Sequence, residues 1–333
     1  MRQDWNGKPY YSLDYYCRET YGEKIYKIAL DGGFTCPNRD GTVGYGGCIF
    51  CSNGGSGEFA TDIHSVASAG PMSASRISPD GINEEIRKGL SLFCGKKVGD
   101  KYIAYFQAYT GTYDRPKRLY ALYSAALSHE KIVGISIATR PDCLGSDVLA
   151  VLKQLQQDFP DKFIWLELGL QTIHEDTAAY IRRGYDLSVF ETAMTHLRQL
   201  HIPVIVHTIL GLPGEDEKRI LETIDYVNRA KPFGIKLQLL HILKNTDLEK
   251  EYEQGLVPVY TKEAYLHILL SCITHLDPGI VIHRITGDGP KDLLIEPKWS
   301  LNKRDVLNSF HKLCKQTASF QGKYFLPSDA EIR

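Results

Sequence analysis

Seven short runs rich in β-branched and aromatic residues recur along the chain, separated by amphipathic stretches, and this alternation restricts the fold more than any other feature. The runs are KIALDG (27–32), YIAYFQ (102–107), IVGISIAT (132–139), FIWLELGL (163–170), PVIVHTIL (203–210), IKLQLLHI (235–242) and IVIHRI (280–285). Between them, NEEIRKGLSLF, PKRLYALYSAALSH, SDVLAVLKQLQQ, LSVFETAMTHLRQL and EKRILETIDYVNRA repeat apolar residues at the spacing of a helix with one buried face. Strand, helix, strand repetition calls for parallel strands joined by right-handed crossovers. Six or seven such units make an α/β fold, a parallel (β/α) barrel of the TIM type, partial or full. At 333 residues and 43% hydrophobic content the chain can build that barrel with extensions. Residues 1–290 are expected to form the barrel domain, and 291–333, with the helical pattern KRDVLNSFHKLCKQTASF and excess positive charge, a C-terminal extension packed on it or gripping a substrate.

The net charge of -1 carries no global signature of polyanion binding, although a locally basic face fits inside a neutral average. Of the eight cysteines, Cys17, Cys94, Cys143, Cys272 and Cys314 are scattered singly, and only Cys36, Cys48 and Cys51 cluster. A disulfide framework is not expected in a chain of this size. The N-terminus, MRQDWNGKPYYSL, has no apolar signal core, and no apolar stretch reaches the length that crosses a bilayer. The expectation is a cytoplasmic protein without membrane association, where thiolates stay reduced.

The cysteine triplet has the spacing Cys-x11-Cys-x2-Cys, and its long segment is rich in glycine (Gly41, Gly44, Gly46, Gly47) with little apolar content. It reads as an irregular wrap around a bound group. Three soft thiolates without an obvious fourth suit a four-iron cluster that keeps one iron open to a small molecule. The alternative is a zinc ion completed by a histidine such as His64, in a zinc-stabilised RNA-binding module without catalysis. The glycine- and serine-rich stretch from Ser52 to Ser78 reads as a surface loop, or else as a lid near the cluster.

The run CPNRDGTVGYGGCIFC resembles the signature of radical S-adenosylmethionine (SAM) enzymes of the MnmL/YhcC type, a long-spaced branch near the catalytic subunit of elongator, and the likeness extends over most of the chain. The resemblance implies a barrel of the radical SAM class. It implies a [4Fe-4S] cluster on Cys36, Cys48 and Cys51, and SAM as second cofactor, chelated by the open iron and cleaved reductively to a 5′-deoxyadenosyl radical. Phe50, inside the closing cysteine pair, belongs to the same cofactor site.

Further matches lie at strand ends, where a parallel barrel gathers its active site. In AYTGTYDRP, Thr110, Gly111 and Thr112 replace the turn that receives the methionyl amine in relatives, while an ordinary turn before a helix capped near Asp114 is the competing reading. ELGLQT and YIRRGYD resemble the paired motifs that place Gln171 on the ribose and Arg183 on the carboxylate of SAM. In HTILGLPGE, His207 stands where relatives carry an acidic ribose ligand, and Leu212 packs near adenine. LQLLHILKNTDLEKEY and HRITGDGPKDLLIEPKWSLNK contribute candidate substrate contacts: His241, His283, Arg284, Asp288 and Trp299. Arg284 suits a carboxylate or phosphate and Trp299 a stacked base.

The resemblance implies action on a modified wobble uridine of tRNA, converting a carboxymethylaminomethyl to an aminomethyl group, with a reductant such as flavodoxin or ferredoxin as electron donor. Lys298, Lys303, Arg304, Lys312, Lys315 and Lys323 would meet phosphates. The same cofactors acting on a small metabolite or a protein side chain form the alternative.

Overall fold

The computed structural model describes residues 5–55, 78–93, 95, 99–287 and 289–327. In chain order its elements are α1 (Leu13–Tyr21), β1 (Tyr26–Leu30), α2 (Pro79–Ser91), β2 (Tyr102–Phe106), α3 (Pro116–Leu127), β3 (Ile132–Thr139), α4 (Ser146–Asp158), β4 (Phe163–Gln171), α5 (Glu175–Tyr180), α6 (Leu187–Gln199), β5 (Val204–Leu210), α7 (Glu217–Ala230), β6 (Gly234–Leu239), β7 (Ile242–Leu243), α8 (Asp247–Glu253), α9 (Lys262–His275), β8 (Val281–Arg284), β9 (Leu294–Glu296) and α10 (Lys303–Gln316). All seven expected runs are strands. The chain divides into two compact units, one of Cys17–Gly169 with Gly184–Val204, the other of Met1–Tyr16, Leu170–Arg183 and Ile205–Arg333.

The first of these units carries β1 to β4 side by side, all parallel. Successive side chains on a strand point to opposite faces, so the register sorts them. Ile28, Ala104, Ile135 and Ile164 share the face covered by helices, and Gly89 of α2 leaves room for Ile28, whose Cγ2 lies 2.2 Å from where a Cβ would stand. The opposite face holds Lys27, Tyr105, Ser136 and Glu167. There the Lys27 ammonium meets Glu167 Oε1 at 2.6 Å and lies 4.6 Å from the centre of the Tyr105 ring, and the Ser136 hydroxyl donates to the same Glu167 oxygen at 2.6 Å. A fully buried carboxylate is tolerable only when paired and hydrogen-bonded in this way.

The other unit carries β5, β6 and β8, also parallel, with His207, Lys236 and Arg284 in one cross-strand row. The run 235–242 does not continue as one strand. It ends at Leu239, and Ile242–Leu243 pairs antiparallel with Leu294–Glu296. Helix starts follow side-chain capping: Asp216 accepts from the Arg219 amide, Thr261 from Ala264 and Asn302 from Asp305. The α9 helix buries Tyr265, Leu266, Leu269, Cys272 and Ile273 and shows no clear apolar stripe, which is why helical periodicity alone passes over it. Among the described residues, no helix is long and apolar enough to cross a membrane.

Candidate functional site

The cysteine loop leaves β1 and folds on its own backbone. The Arg39 amide donates to the Cys36 carbonyl at 2.8 Å, Val43 to Pro37 at 2.8 Å, Gly47 to Asn38 at 2.8 Å and Cys51 to Cys48 at 3.0 Å. Gly47 is required twice over. Its φ of +82° disfavours any side chain, and a Cβ there would stand 2.9 Å from Arg39 Nε. Gly184 does the same for Asn38, whose Oδ1 lies 2.6 Å from the position a Cβ would take. Asn38 is thereby free to donate its amide to Cys48 Sγ at 3.6 Å.

Cys36, Cys48 and Cys51 are all partly buried residues, and Cys36 and Cys51 lie within electrostatic reach of the Cys48 thiol. Burial pushes the Cys48 thiol up to about 12; Cys51 and Cys36 push the same way, while Arg140 and the Asn38 hydrogen bond oppose. Among the described residues no three His, Cys, Asp or Glu side chains converge tightly enough to share one ion, as zinc requires. His64 and the stretch 56–77 lie outside the described residues. Phe50 is half-buried inside the closing pair.

Two arginines that sequence reasoning left unassigned flank these thiols. Arg39 donates to the carbonyls of Cys51 at 2.9 Å and Ser52 at 2.5 Å, hydrogen-bonds the Cys51 thiol and stands 5.7 Å from the Tyr109 ring centre. Arg140, just past β3, forks onto Asp142 at 2.9 and 2.7 Å and lies 4.9 Å from the Tyr185 ring centre, within electrostatic reach of Cys36 and Cys48. Cys143 is also not isolated as the sequence suggests: it lies near Cys36, with its thiol turned onto Asp142 Oδ1 at 3.8 Å. The ATRPDC run, a charged pair bracketing a proline at a strand end, is the signal that could have found this group.

Thr110 and Thr112 are both buried. The Thr112 hydroxyl meets Thr139 Oγ1 at 2.6 Å and donates to the Cys143 carbonyl at 2.7 Å, tying the end of β3 to the turn after β2. Gly111 allows that turn to approach β3, since a Cβ would stand 2.7 Å from Ile137 Cγ2. The helix after it starts with Pro116 behind Arg115, and Asp114 pairs with Arg118 at 2.5 Å instead of capping. On the same strand end, Gln107 Nε2 is buried without a hydrogen-bond partner among the described residues.

In the other unit, Gln171 ends β4 with φ +65°, a conformation rare outside glycine, and its buried Oε1 has no hydrogen-bond partner among the described residues. An orphaned acceptor on a strained strand end is what a ligand hydroxyl would satisfy. Arg183, 2% exposed, holds this end in place. Its guanidinium donates to the carbonyls of Leu170 at 3.2 Å and Thr172 at 2.7 Å and to both Glu175 oxygens at 3.1 Å. His207 Nδ1 lies 3.4 Å from Gln238 Nε2, and Leu212 is buried.

Of the remaining candidates among the described residues, Arg284 lies within electrostatic reach of His241. His241 Nε2 lies 3.1 Å from Ser300 Oγ, and burial, then Lys303 and Arg284, push its pKa down to about 4, so the ring is neutral at pH 7. His283 presents its edge to Phe233, ring centres 5.6 Å apart. Trp299 donates its indole N–H to the Tyr260 carbonyl at 3.0 Å and packs on Tyr265. Asp288 lies outside the described residues.

Residues 36–227 match the model of the radical SAM superfamily, and 232–316 that of the radical SAM C-terminal domain. YtqA of Bacillus subtilis is 40% identical over 96% of this chain and 93% of its own length, and YhcC of Escherichia coli 36% identical over 85% of each. More distantly, a tRNA uridine(34) acetyltransferase of Dehalococcoides mccartyi is 26% identical over 56% of this chain and 41% of its own length. Among solved structures, Elp3 of Methanocaldococcus infernus superposes with a TM-score of 0.62 at 14% identity, over 89% of this chain and 64% of that one, which shows the fold. The first match opens on Cys36, the first thiol of the loop described above. Nothing favours the zinc alternative. The chain belongs to the radical SAM superfamily as an enzyme of the YhcC type, and its cofactors are a [4Fe-4S] cluster and S-adenosylmethionine.

Proposed function

We propose that this enzyme acts on a modified uridine at the wobble position of tRNA, converting a carboxymethylaminomethyl to an aminomethyl group. The observation that carries the tRNA part is the outward face of α10. That helix buries Val306, Phe310 and Cys314 and leaves Arg304, Lys312 and Lys315 exposed on a chain whose net charge is only -1. A basic face on a nearly neutral protein suits phosphate contacts that position a substrate without reading its sequence. The partial likeness to a protein named as a tRNA uridine(34) acetyltransferase supports the same substrate class.

When bound, the cluster and SAM would supply a carbon radical able to take a hydrogen atom from the carboxymethyl carbon. Loss of one further electron to a one-electron acceptor and hydrolysis of the resulting imine would release the two carbons as glyoxylate and leave the aminomethyl group. The protein's own part is to position and to shield. Cys36, Cys48 and Cys51 hold the cluster, with Phe50 beside them, and the Thr110–Gly111–Thr112 turn sets the edge of the cofactor site. Gln171 accepts from a SAM ribose hydroxyl, and Arg183 fixes the strand end on which Gln171 stands. His207 and Leu212 line the adenosine side. Arg284, with Lys303 near it, provides positive potential suited to the substrate carboxylate. An unpaired anticodon base is inexpensive to splay from its loop and bring to such a site. A flavodoxin or ferredoxin supplies the electron.

The test is anaerobic incubation of reconstituted enzyme with SAM, dithionite and tRNA bearing the carboxymethylaminomethyl group, followed by mass spectrometry of the nucleosides. The expected result is its conversion to the aminomethyl nucleoside with release of 5′-deoxyadenosine. Formation of 5′-deoxyadenosine with unchanged nucleosides would move the substrate to a small metabolite or a protein side chain.

A further inference from the structure

We infer that Arg39 is the main counter-charge of the iron–sulfur cluster, a fixed cation that raises the cluster's reduction potential, and that Arg140, tied to Asp142, contributes less. The two arginines flank the same thiols in opposite electrostatic states. Arg140 is forked onto Asp142 through Nε and Nη2 at 2.9 and 2.7 Å, so its charge is shared with a carboxylate even though it still acts on the Cys48 thiol. Arg39 has no carboxylate partner among the described residues. Its guanidinium is held by the carbonyls of Cys51 and Ser52, by the Cys51 thiol and by the Tyr109 ring, none of which cancels a full positive charge.

That arrangement is built rather than incidental. The guanidinium lies where Gly47 has no side chain, and the Arg39 amide is anchored to the Cys36 carbonyl, so both ends of the residue belong to the cluster loop. A half-buried cation without a carboxylate is unfavourable unless negative charge is placed beside it. Three thiolates on an iron–sulfur core provide that charge. Reduction adds one more negative charge to the core, so a nearby cation stabilises the reduced form more than the oxidised one. Net charge and hydrogen bonds to sulfur are the usual levers on cluster potential, and Arg39 supplies both.

The experiment is an anaerobic redox titration followed by electron paramagnetic resonance, on reconstituted wild type, R39Q, R39K and D142N, with iron and sulfide measured in each. In R39Q the ratio of reduced to oxidised cluster at a fixed potential should fall at least tenfold, about 59 mV for a one-electron couple. R39K keeps the charge and should stay within about threefold of wild type, which is roughly half that shift. D142N uncovers the Arg140 charge and should move the potential upward. Wild type and R39Q titrating together at equal iron content would overturn the inference. Should R39Q hold no cluster, R39K decides. Retention of cluster and potential in R39K supports the charge role, whereas loss equal to that of R39Q assigns Arg39 to loop geometry alone.

Discussion

The cysteine loop and the surroundings of His241 handle charge in contrary ways. In the loop, guanidinium groups lie beside sulfur donors that become anionic when metal binds, and one of the two arginines carries its own carboxylate. Around His241 the charged neighbours among the described residues are Lys303 and Arg284, both cations, and burial keeps the histidine neutral next to them. Arg284 also lowers the Lys303 ammonium, after burial. The loop is electrostatically complete once its cluster is present. The His241 region is set instead by burial and by cationic neighbours that keep the ring neutral.

The strongest way to break this contrast is at the sulfur donors. Cys36→Ala, Cys48→Ala and Cys51→Ala should each abolish SAM cleavage, measured as 5′-deoxyadenosine release, while circular dichroism shows the fold retained. Full turnover in any one of them after reconstitution would remove that residue from the ligand set. Next in size is the inner face of the cluster-bearing unit. Glu167→Ala leaves the Lys27 ammonium without its 2.6 Å partner and should destabilise by about 3–5 kcal/mol in chemical denaturation.

A smaller effect lies in the His241 region. Its folded pKa of about 4 is below the ordinary histidine value of 6.5, so the unfolded chain takes up the proton first as the pH falls. The contribution is therefore present above pH 6.5 and is lost between 6.5 and about 4, on the order of 3 kcal/mol. His241→Asn should flatten the stability profile across that window, and an unchanged slope would contradict the burial argument. The smallest expected change is Thr112→Val, which leaves the Cys143 carbonyl and Thr139 hydroxyl without this partner and should cost about 1–2 kcal/mol.

What the sequence discloses depends on how local the physics is. The seven strands are legible because each is a contiguous run of β-branched and aromatic residues set between amphipathic stretches. The cysteine loop is equally local, since its three cysteines, its glycines and Arg39 fall within sixteen residues, from Cys36 to Cys51. Arg140, Asp142 and Tyr185 escaped because their association joins the end of β3 to a segment more than forty residues later, and no local pattern announces it. The α9 helix escaped for lack of a polar face, and the break after Leu239 because Ile242 and Leu243 keep the apolar character of the strand before them. His283 and Trp299 show a further limit. Their residue types suit ligand contacts, yet here the His283 ring edge meets Phe233 and the Trp299 N–H meets the Tyr260 carbonyl, environments that residue type alone does not specify.

The central claim is that the three thiols hold a four-iron cluster with one iron open to SAM. It is tested most directly by reconstituting the protein under argon, measuring iron and sulfide, and recording the electron paramagnetic resonance spectrum of the reduced cluster before and after SAM is added. The account predicts about four irons and four sulfides per chain, as a [4Fe-4S] centre requires, and a signal that shifts on SAM binding. A preparation that stays pale, or a reduced signal that SAM leaves untouched, would contradict it.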